Sequence, residues 1–542
     1  LNQMKTKYIF LSLIACLFTG CTKDFLDRKP IDFLAPDNFK TENDIKGAVN
    51  GIYTAYISDK NEPIYTDFIV DNGYFPDYRD MWNRTYNNET SYIVNKWSRD
   101  YKVILRANTL LANIDGVKLT PTAYNQYKGE ATFLRALAYF DLSFFFGGVP
   151  LRLKPEGLED ANKPLTSKED IVNFVLTELE DASNMLPVSY AASEKGRATK
   201  GAALAIKARV LLFNKRYDEA ITYCKKVDAL NYYRIMPDYT SLFIPGGEAG
   251  NLEMIFDMEF MTNAAPQNLS NSWYDRFYSF GGYQVSYDLY QQYYSTNGLS
   301  INDSKNKLYN PAVRTSDLVS PSKYIIAGGY DNRFQNRDPR MYYSMVVPYS
   351  IDKYDKTTHA PGVYYPSIIK ATNTTSFRVR KYIDYTNYSV TGISGVNPII
   401  IRYADVLLME AEAMVEKGGY DENIVFGLIN QVRQRPGVMM PKVEDVEGRG
   451  LPVATLRNVI RHERRVEFAF EGLRIFDIMR WDIGADAYTN LQGFDPAKLT
   501  QFASTGIVYQ INTALTRTPY NASKGYLWPI PKTELDANKS IQ

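Results

Sequence analysis

Apolar positions along the chain fall mostly into helical spacing, and the densest case lies near the end. From Leu456 to Trp481, the residues Leu456, Val459, Ile460, Val466, Phe470 and Leu473 recur three, four and seven apart, and Phe476 and Met479 continue the series. The spacing predicts one long helix with a stripe facing a core. Charges crowd that stripe: Arg461, Glu463, Arg464, Arg465, Glu467, Glu471, Arg474, Asp477 and Arg480. Charges at the edge of a core persist only when paired and hydrogen-bonded, so mutual pairs are expected among Glu463, Glu467, Arg464, Arg474, Asp477 and Arg480.

Other helices follow from the same rule. Ile45, Val49, Ile52 and Tyr56 predict a helix over Asp44–Tyr56, and Tyr101, Ile104, Leu105, Asn108, Leu111 and Ala112 predict one over Trp97–Ile114. A long apolar helix over Tyr127–Gly148 stops at Gly147, Gly148 and Pro150. In the stretch from Arg197, small residues set close packing: with Ala208 at position 8 of a tetratricopeptide unit, Ala220 and Cys224 fall on positions 20 and 24. The phase returns when Leu407, Ala411 and Tyr420 are laid on Leu204, Ala208 and Tyr217, although Asn423 breaks the small-residue rule. The expected fold class is mainly α: an irregular tetratricopeptide-like helical scaffold with long loops and short β-strands.

Periodicity fades in two places. Ser58–Lys96 is rich in Asp, Asn and Tyr, and such a long irregular segment between helices is usually functional or disordered. From about Leu230 to Pro398, Gly, Pro, Asn, Ser and Tyr dominate, with short alternating pieces at Met254–Phe260 and Ser376–Ile383 that read as strands. Trp273, Tyr274, Phe277, Tyr278, Phe280, Tyr283 and Tyr287 crowd this region.

The start reads as an export signal. Met4-Lys5-Thr6-Lys7 precedes an apolar run, Tyr8–Phe18, too short to span a membrane as a mature helix, and Thr19-Gly20 leads into Cys21, as in a lipobox. The expected organisation is a signal peptide at 1–20, a lipidated tether at 21–40, an N-terminal helical region at 41–230, a loop-rich variable region at 231–398 and a C-terminal helical region at 399–542. With Cys16 removed and Cys21 acylated, Cys224 alone remains, so the core must hold the fold without an intramolecular disulfide.

Composition then narrows the chemistry. With 62 Lys and Arg against 61 Asp and Glu, the net charge is +1 and no basic run marks a nucleic-acid surface. The two histidines, His359 and His462, leave His-based metal or triad chemistry almost nothing to work with. Glu463 and Glu467 lie four apart on one face, as an acid/base pair or a metal site would, but a helical di-metal site needs Glu-x-x-His motifs and His462 stands adjacent to Glu463, so structural ion pairs are the expected role. No catalytic residue, metal or cofactor is expected. Tyrosine is the outlier, 43 residues with 27 Phe and 5 Trp, and its apolar ring with a polar tip suits wet recognition surfaces.

Several stretches together resemble the SusD/RagB family of outer-membrane lipoproteins. They are Cys21 followed by Asp24-Phe25-Leu26-Asp27, the FLRALAYFDLSFFFGGVPL run from Phe133, RATKGAALAIKARVLL from Arg197, Asn336-Arg337-Asp338-Pro339-Arg340, IRYADVLLMEAEA from Ile401, HERRVEFAFEGLRIFDIMRW from His462 and LWPIPKTELDAN from Leu527. The resemblance implies a cell-surface lipoprotein without catalysis, anchored in the outer membrane of a gram-negative bacterium through Cys21. It would bind oligosaccharide and hand it to a SusC-like TonB-dependent transporter. A RagB-like peptide receptor is the alternative, and a surface glycoside hydrolase with paired carboxylates a more distant one.

In glycan-binding relatives the site lies in variable loops, which here are Ser58–Lys96 and the region near Trp273. Sugar capture needs flat aromatic faces and planar hydrogen-bonding groups, and Asp71–Tyr86 carries both. Trp82 and Tyr86 are the expected stacking platforms, Asp77, Arg79, Asn83 and Arg84 the polar contacts, and Trp273 and Tyr278 the opposing wall.

Overall fold

Most long helices lie where apolar spacing places them, with shifted ends; the helix Lys168–Met185 is not among those expected. The computed structural model describes residues 39–58, 62–157, 160–247, 249–261, 282–309, 333–348, 374–383, 394–499 and 509–541, and the backbone alone of 351–352, 362–363, 502–503 and 506–507. Helix α1 spans Glu42–Tyr56, α2 Ser91–Asn113, α3 Pro121–Phe146, α4 Lys168–Met185, α5 Lys200–Phe213 and α6 Tyr217–Asp228. Helices α7 (Tyr403–Lys417), α8 (Glu422–Arg433), α9 (Val453–Glu467) and α10 (Arg474–Trp481) complete the set used below. Local chemistry sets the starts: the Thr41 hydroxyl accepts from Asp44 N while the Asp44 carboxylate accepts from Thr41 N at 2.8 Å, and Pro121 opens α3 behind a Thr120 cap. Helices α2 and α3 each begin six residues ahead of the expected Trp97 and Tyr127; the first turn of α3 is largely polar, while α2 opens on Tyr92, Ile93 and Val94, which the sequence reading leaves in the preceding loop.

Each helix packs on the next, from α1 through α8, and α7 also packs on α9. The two tetratricopeptide-like pairs, α5–α6 and α7–α8, therefore meet directly through α6 and α7 although the loop-rich region separates them in sequence. Ala205, Ala208, Ala220, Cys224, Ala404 and Ala411 are all buried at these seams, where small side chains let backbones approach. The α6–α7 seam also holds Glu410, buried beside Asp228, whose carboxylate accepts from Tyr403 Oη at 3.0 Å. Burial, and then the Asp228 charge, push the Glu410 carboxyl from 4.5 up to about 7. Its stabilising contribution is therefore full below about pH 4.5 and is lost as pH rises through 7. Glu410→Gln keeps the shape without the charge, so its melting temperature should exceed the parent's at about pH 8 and nearly match it at about pH 5. Equal shifts at the two pH values would count against a protonated Glu410.

The single helix expected over Leu456–Trp481 is two. Between α9 and α10 the chain turns through Phe470 at φ 64° and Gly472 at φ 78°, left-handed conformations that no helix can carry. Tertiary contacts hold the turn: Gly472 N donates to Asp67 at 2.6 Å, Thr66 Oγ1 donates to Gly472 O at 3.1 Å, and the buried Phe470 ring stacks on Phe68 at 5.7 Å. The apolar period runs across the break because both helices bury the same side of the chain.

The charges of this stretch are paired, but mostly with partners outside it. Arg464 meets Asp477 at 3.1 Å and Arg480 meets Asp477 at 2.7 Å, as expected. Glu467 is instead surrounded by Arg340, Arg402 and Arg435 at 2.7–2.8 Å. Glu463 bonds Arg340 at 2.6 Å, Arg474 bonds Asp71 at 2.7 Å, and Glu471 receives Arg402 at 2.8 Å and Lys381 at 2.9 Å. Glu253 completes the cluster by taking Arg402 at 2.7 Å and Arg435 at 2.5 Å. Burial drives Lys381 down to about 8 even with Glu471 beside it. The correction has a simple cause: residues on one short helix cannot surround one another, whereas a carboxylate at the junction of several elements can be reached from all of them.

Short strands tie the loop region to this scaffold. They are β1 (Gly73–Tyr74), β2 (Met254–Asp257), β3 (Gln284–Val285), β4 (Met345–Val346), β5 (Arg378–Val379), β6 (Ile399–Arg402), β7 (Leu491–Phe494) and β8 (Ile511–Leu515). β2 pairs antiparallel with β6, and β7 with β8. The remaining four form an antiparallel sheet in the order β1-β3-β5-β4, with Gly73 opposite Val285 and Gln284 opposite Arg378. A Cβ on Gly73 would lie 2.4 Å from Gln284 O, so glycine is what permits the edge strand to approach.

Candidate functional site

The Asp71–Tyr86 segment is pinned at its start and open in its middle. Asp71 lies between Arg474 at 2.7 Å and Arg465 at 3.1 Å, and although burial raises its pKa, the two guanidiniums outweigh burial and hold the carboxyl at about 2. Asn72 donates to Asp67 at 2.6 Å and accepts Ser286 N at 3.0 Å. After β1, Phe75 stacks on Tyr283 at 3.9 Å, and Tyr78 sits edge-on to Phe75 and Tyr92 at 5.5 and 5.1 Å. Phe75 and Tyr78 are half-buried while Asp77 and Arg79 are exposed, so aromatic faces and planar polar groups share one surface at the sheet edge.

The two expected platforms are not on that surface. Trp82 is 2% exposed, packed with Tyr74 and Leu491 beneath the β7–β8 pair. Arg517 lies 4.4 Å from its ring centroid and donates through Nε to Trp82 O at 2.7 Å. Tyr86 is 6% exposed, with Lys524 Nζ 4.0 Å from its ring centroid. Trp82 is a packing surface because β7 and β8 close over it, a contact no local pattern encodes, while Tyr86 joins the main core. Asn83 Oδ1 accepts Thr518 N at 3.3 Å, and Arg84, at φ 58°, caps the short helix Arg79–Asn83 with its guanidinium among Tyr488, Tyr520 and Tyr526. Cys21, Trp273 and Tyr278 lie outside the described residues.

Sequence reading missed Phe75, Tyr78, Tyr488, Arg517, Tyr520, Lys524 and Tyr526. The signal available was an interleaving of basic and tyrosyl residues between Arg517 and Tyr526, which only gains meaning beside Trp82–Tyr86. A separate groove of about 640 Å³ lies between α2 and residues 152–161, lined by Trp97, Tyr101, Leu105 and Arg152 among others. Arg152 there is already paired with Glu156.

Comparison with known proteins gives this geometry its context. Residues 253–542, more than half of the chain, match the model of the SusD family. The chain belongs to the SusD family. Residues 24–212 match a second model, described as starch-binding associating with outer membrane. Among curated SusD relatives, SusD-like protein P38 of Formosa agariphila is 26% identical over 517 residues, covering 89% of this chain and 93% of that protein. A SusD-like carbohydrate binding protein from Bacteroides fragilis has the same fold, with a TM-score of 0.75 at 24% identity, covering 92% of this chain and 99% of its own. A laminarin binding SusD-like protein shares the fold at a TM-score of 0.62 and 20% identity, covering 93% and 99%. The mainly helical tetratricopeptide-like SusD fold expected from the sequence is the one observed.

Proposed function

We propose that this SusD-family chain binds an oligosaccharide at the outer surface of the cell and delivers it, without turnover, to a SusC-like TonB-dependent transporter, with an acylated Cys21 as its outer-membrane anchor. The observation that carries the reading is the half-buried Phe75–Tyr78 pair flanked by exposed Asp77 and Arg79 on a segment fixed at a sheet edge. Sugar rings stack on aromatic faces, and carboxylate or guanidinium forks bind neighbouring hydroxyls. Trp273 and Tyr278 remain the proposed opposing wall, since their stretch leads into β3, the strand paired with β1. Binding without turnover is supported by the fate of Glu463 and Glu467, the carboxylates that could have formed an acid/base pair: both are fully buried in ion pairs, where no substrate reaches.

Titration calorimetry against a panel of oligosaccharides and a peptide pool tests this. A double variant, Asp77→Ala with Arg79→Ala, should weaken the glycan that gives heat by about tenfold, the loss of one or two hydrogen bonds to charged groups, with an unchanged melting temperature because both side chains are exposed. Unchanged affinity would remove these residues from the site. Heat from peptides alone would favour a peptide receptor.

A further inference from the structure

Two guanidiniums share one tyrosine ring beside the proposed site, with a lysine next to them. Arg84 and Arg517 hold their guanidinium carbons 4.8 and 4.7 Å from the Tyr488 ring centroid. Tyr520 and Tyr526 close around Arg84 at 5.2 and 5.6 Å. Lys524 donates to the carbonyl oxygen of Arg84 and, at 3.4 Å, to that of Tyr86.

Among the described residues none of these three cations is paired with a carboxylate. Their side chains bond neutral groups instead: Arg84 bonds Gly525 O and Tyr488, Arg517 bonds the carbonyls of Trp82 and Ile69, and Lys524 bonds those of Arg84 and Tyr86. The charged core behaves in the opposite way, with carboxylates in contact with Arg340, Arg402, Arg435 and Arg464. The nearby acids are engaged by other partners, and Asp71 reaches Arg517 only through its field. Asp71 is held by Arg465 and Arg474, Asp80 accepts from Thr85, and the exposed Asp482 is a hydrogen-bonding neighbour of Tyr526. Burial weighs on both Lys524 and Arg517, and the Arg84 charge adds to it at Lys524, so that Lys524 is lowered and the 4%-exposed Arg517 is brought down to about 10. Net charge over the whole chain is only +1, so this cationic excess is local.

We propose that Arg84 and Lys524, backed by Arg517, recognise a negatively charged group on the ligand, and that the oligosaccharide taken by this protein is acidic, bearing carboxylate or sulfate groups. The proposal rests on the glycan reading above. A carboxylate or sulfate would supply the counter-charge that no described carboxylate provides by contact, through charge-assisted hydrogen bonds about twice as strong as neutral ones. The half-exposed rings of Tyr520 and Tyr526 would take the flat face of the sugar. Lys524 is exposed and Arg84 half-exposed, so both can be reached, while the buried Arg517 acts through its field.

The full chain is titrated calorimetrically with a short oligogalacturonate, a sulfated galactan oligosaccharide and neutral galactan of the same length, at low and raised sodium chloride. An acidic sugar should bind at least about tenfold more tightly than the neutral one and weaken with salt, as desolvated charge pairs do. Lys524→Gln and Arg84→Gln should each cost the acidic ligand about tenfold. Lys524 is exposed, so its variant keeps the test decisive even where Arg84→Gln fails to fold. Which acidic sugar binds distinguishes carboxylate from sulfate. Neutral galactan binding as tightly as both acidic sugars, or Lys524→Gln leaving acidic affinity unchanged in a folded protein, overturns the proposal while the glycan reading stands. Heat from the peptide pool with none from any sugar overturns both.

Discussion

Glu467→Ala should be among the most damaging single changes in this protein, lowering stability by about 3–5 kcal/mol, the usual cost of removing one partner from a buried charge cluster. Glu467 is fully buried and bonds Arg340, Arg402 and Arg435 at once. Burial opposes its ionisation, but Arg402, Arg435 and Arg340 outweigh burial and hold its pKa far below the ordinary carboxylate range. Alanine would leave three guanidiniums sharing Glu253, Glu463, Glu471 and Asp338 with one negative charge fewer. Denaturant unfolding monitored by circular dichroism reads the loss, and a change under about 1 kcal/mol would contradict the assigned role. Ligand affinity of the folded fraction should not change. The same physics sets the acid limit: Asp71 and Asp405 are each held at about 2 against burial by two arginines, so the stability they contribute is present above about pH 4 and is lost as pH falls toward 2.

Trp82→Ala should cost about 3–5 kcal/mol of stability, the range for deleting a large buried aromatic side chain. At 2% exposure the ring fills the space between Tyr74 and Leu491, and Arg517 lies across it. A ring serving as an open sugar platform would behave differently: its removal would leave the melting temperature within the small range of surface substitutions and lower affinity alone. Thermal unfolding of the variant therefore separates the two roles in one measurement. A melting temperature equal to the parent's would return Trp82 to the binding surface.

These two residues mark where sequence reading succeeded and where it stopped. That Glu467 sits in a buried, paired environment was legible, because charge interleaved with an apolar stripe has few other solutions. Its partners were not, because Arg340, Arg402 and Arg435 come from three separate elements. Trp82 shows the converse. Its neighbours Asp77, Arg79, Asn83 and Arg84 are exposed or half-buried, while burial of the ring depends on β7 and β8, far along the chain.

What the sequence determined by itself was most of the long helices, though not α4, with the two tetratricopeptide-like pairs and their alanine seams, since helical period and small-residue spacing are local properties read over one or two turns. Tertiary structure alone decided the rest. It broke the 456–481 stretch at Phe470 and Gly472, brought α6 against α7 and gathered a charged core from distant arginines. It also placed Arg84, Arg517 and Lys524 around one tyrosine. Each of these depends on contacts between residues far apart in the chain, whose free energy is realised only when the elements meet in space, so no window of local sequence contains it.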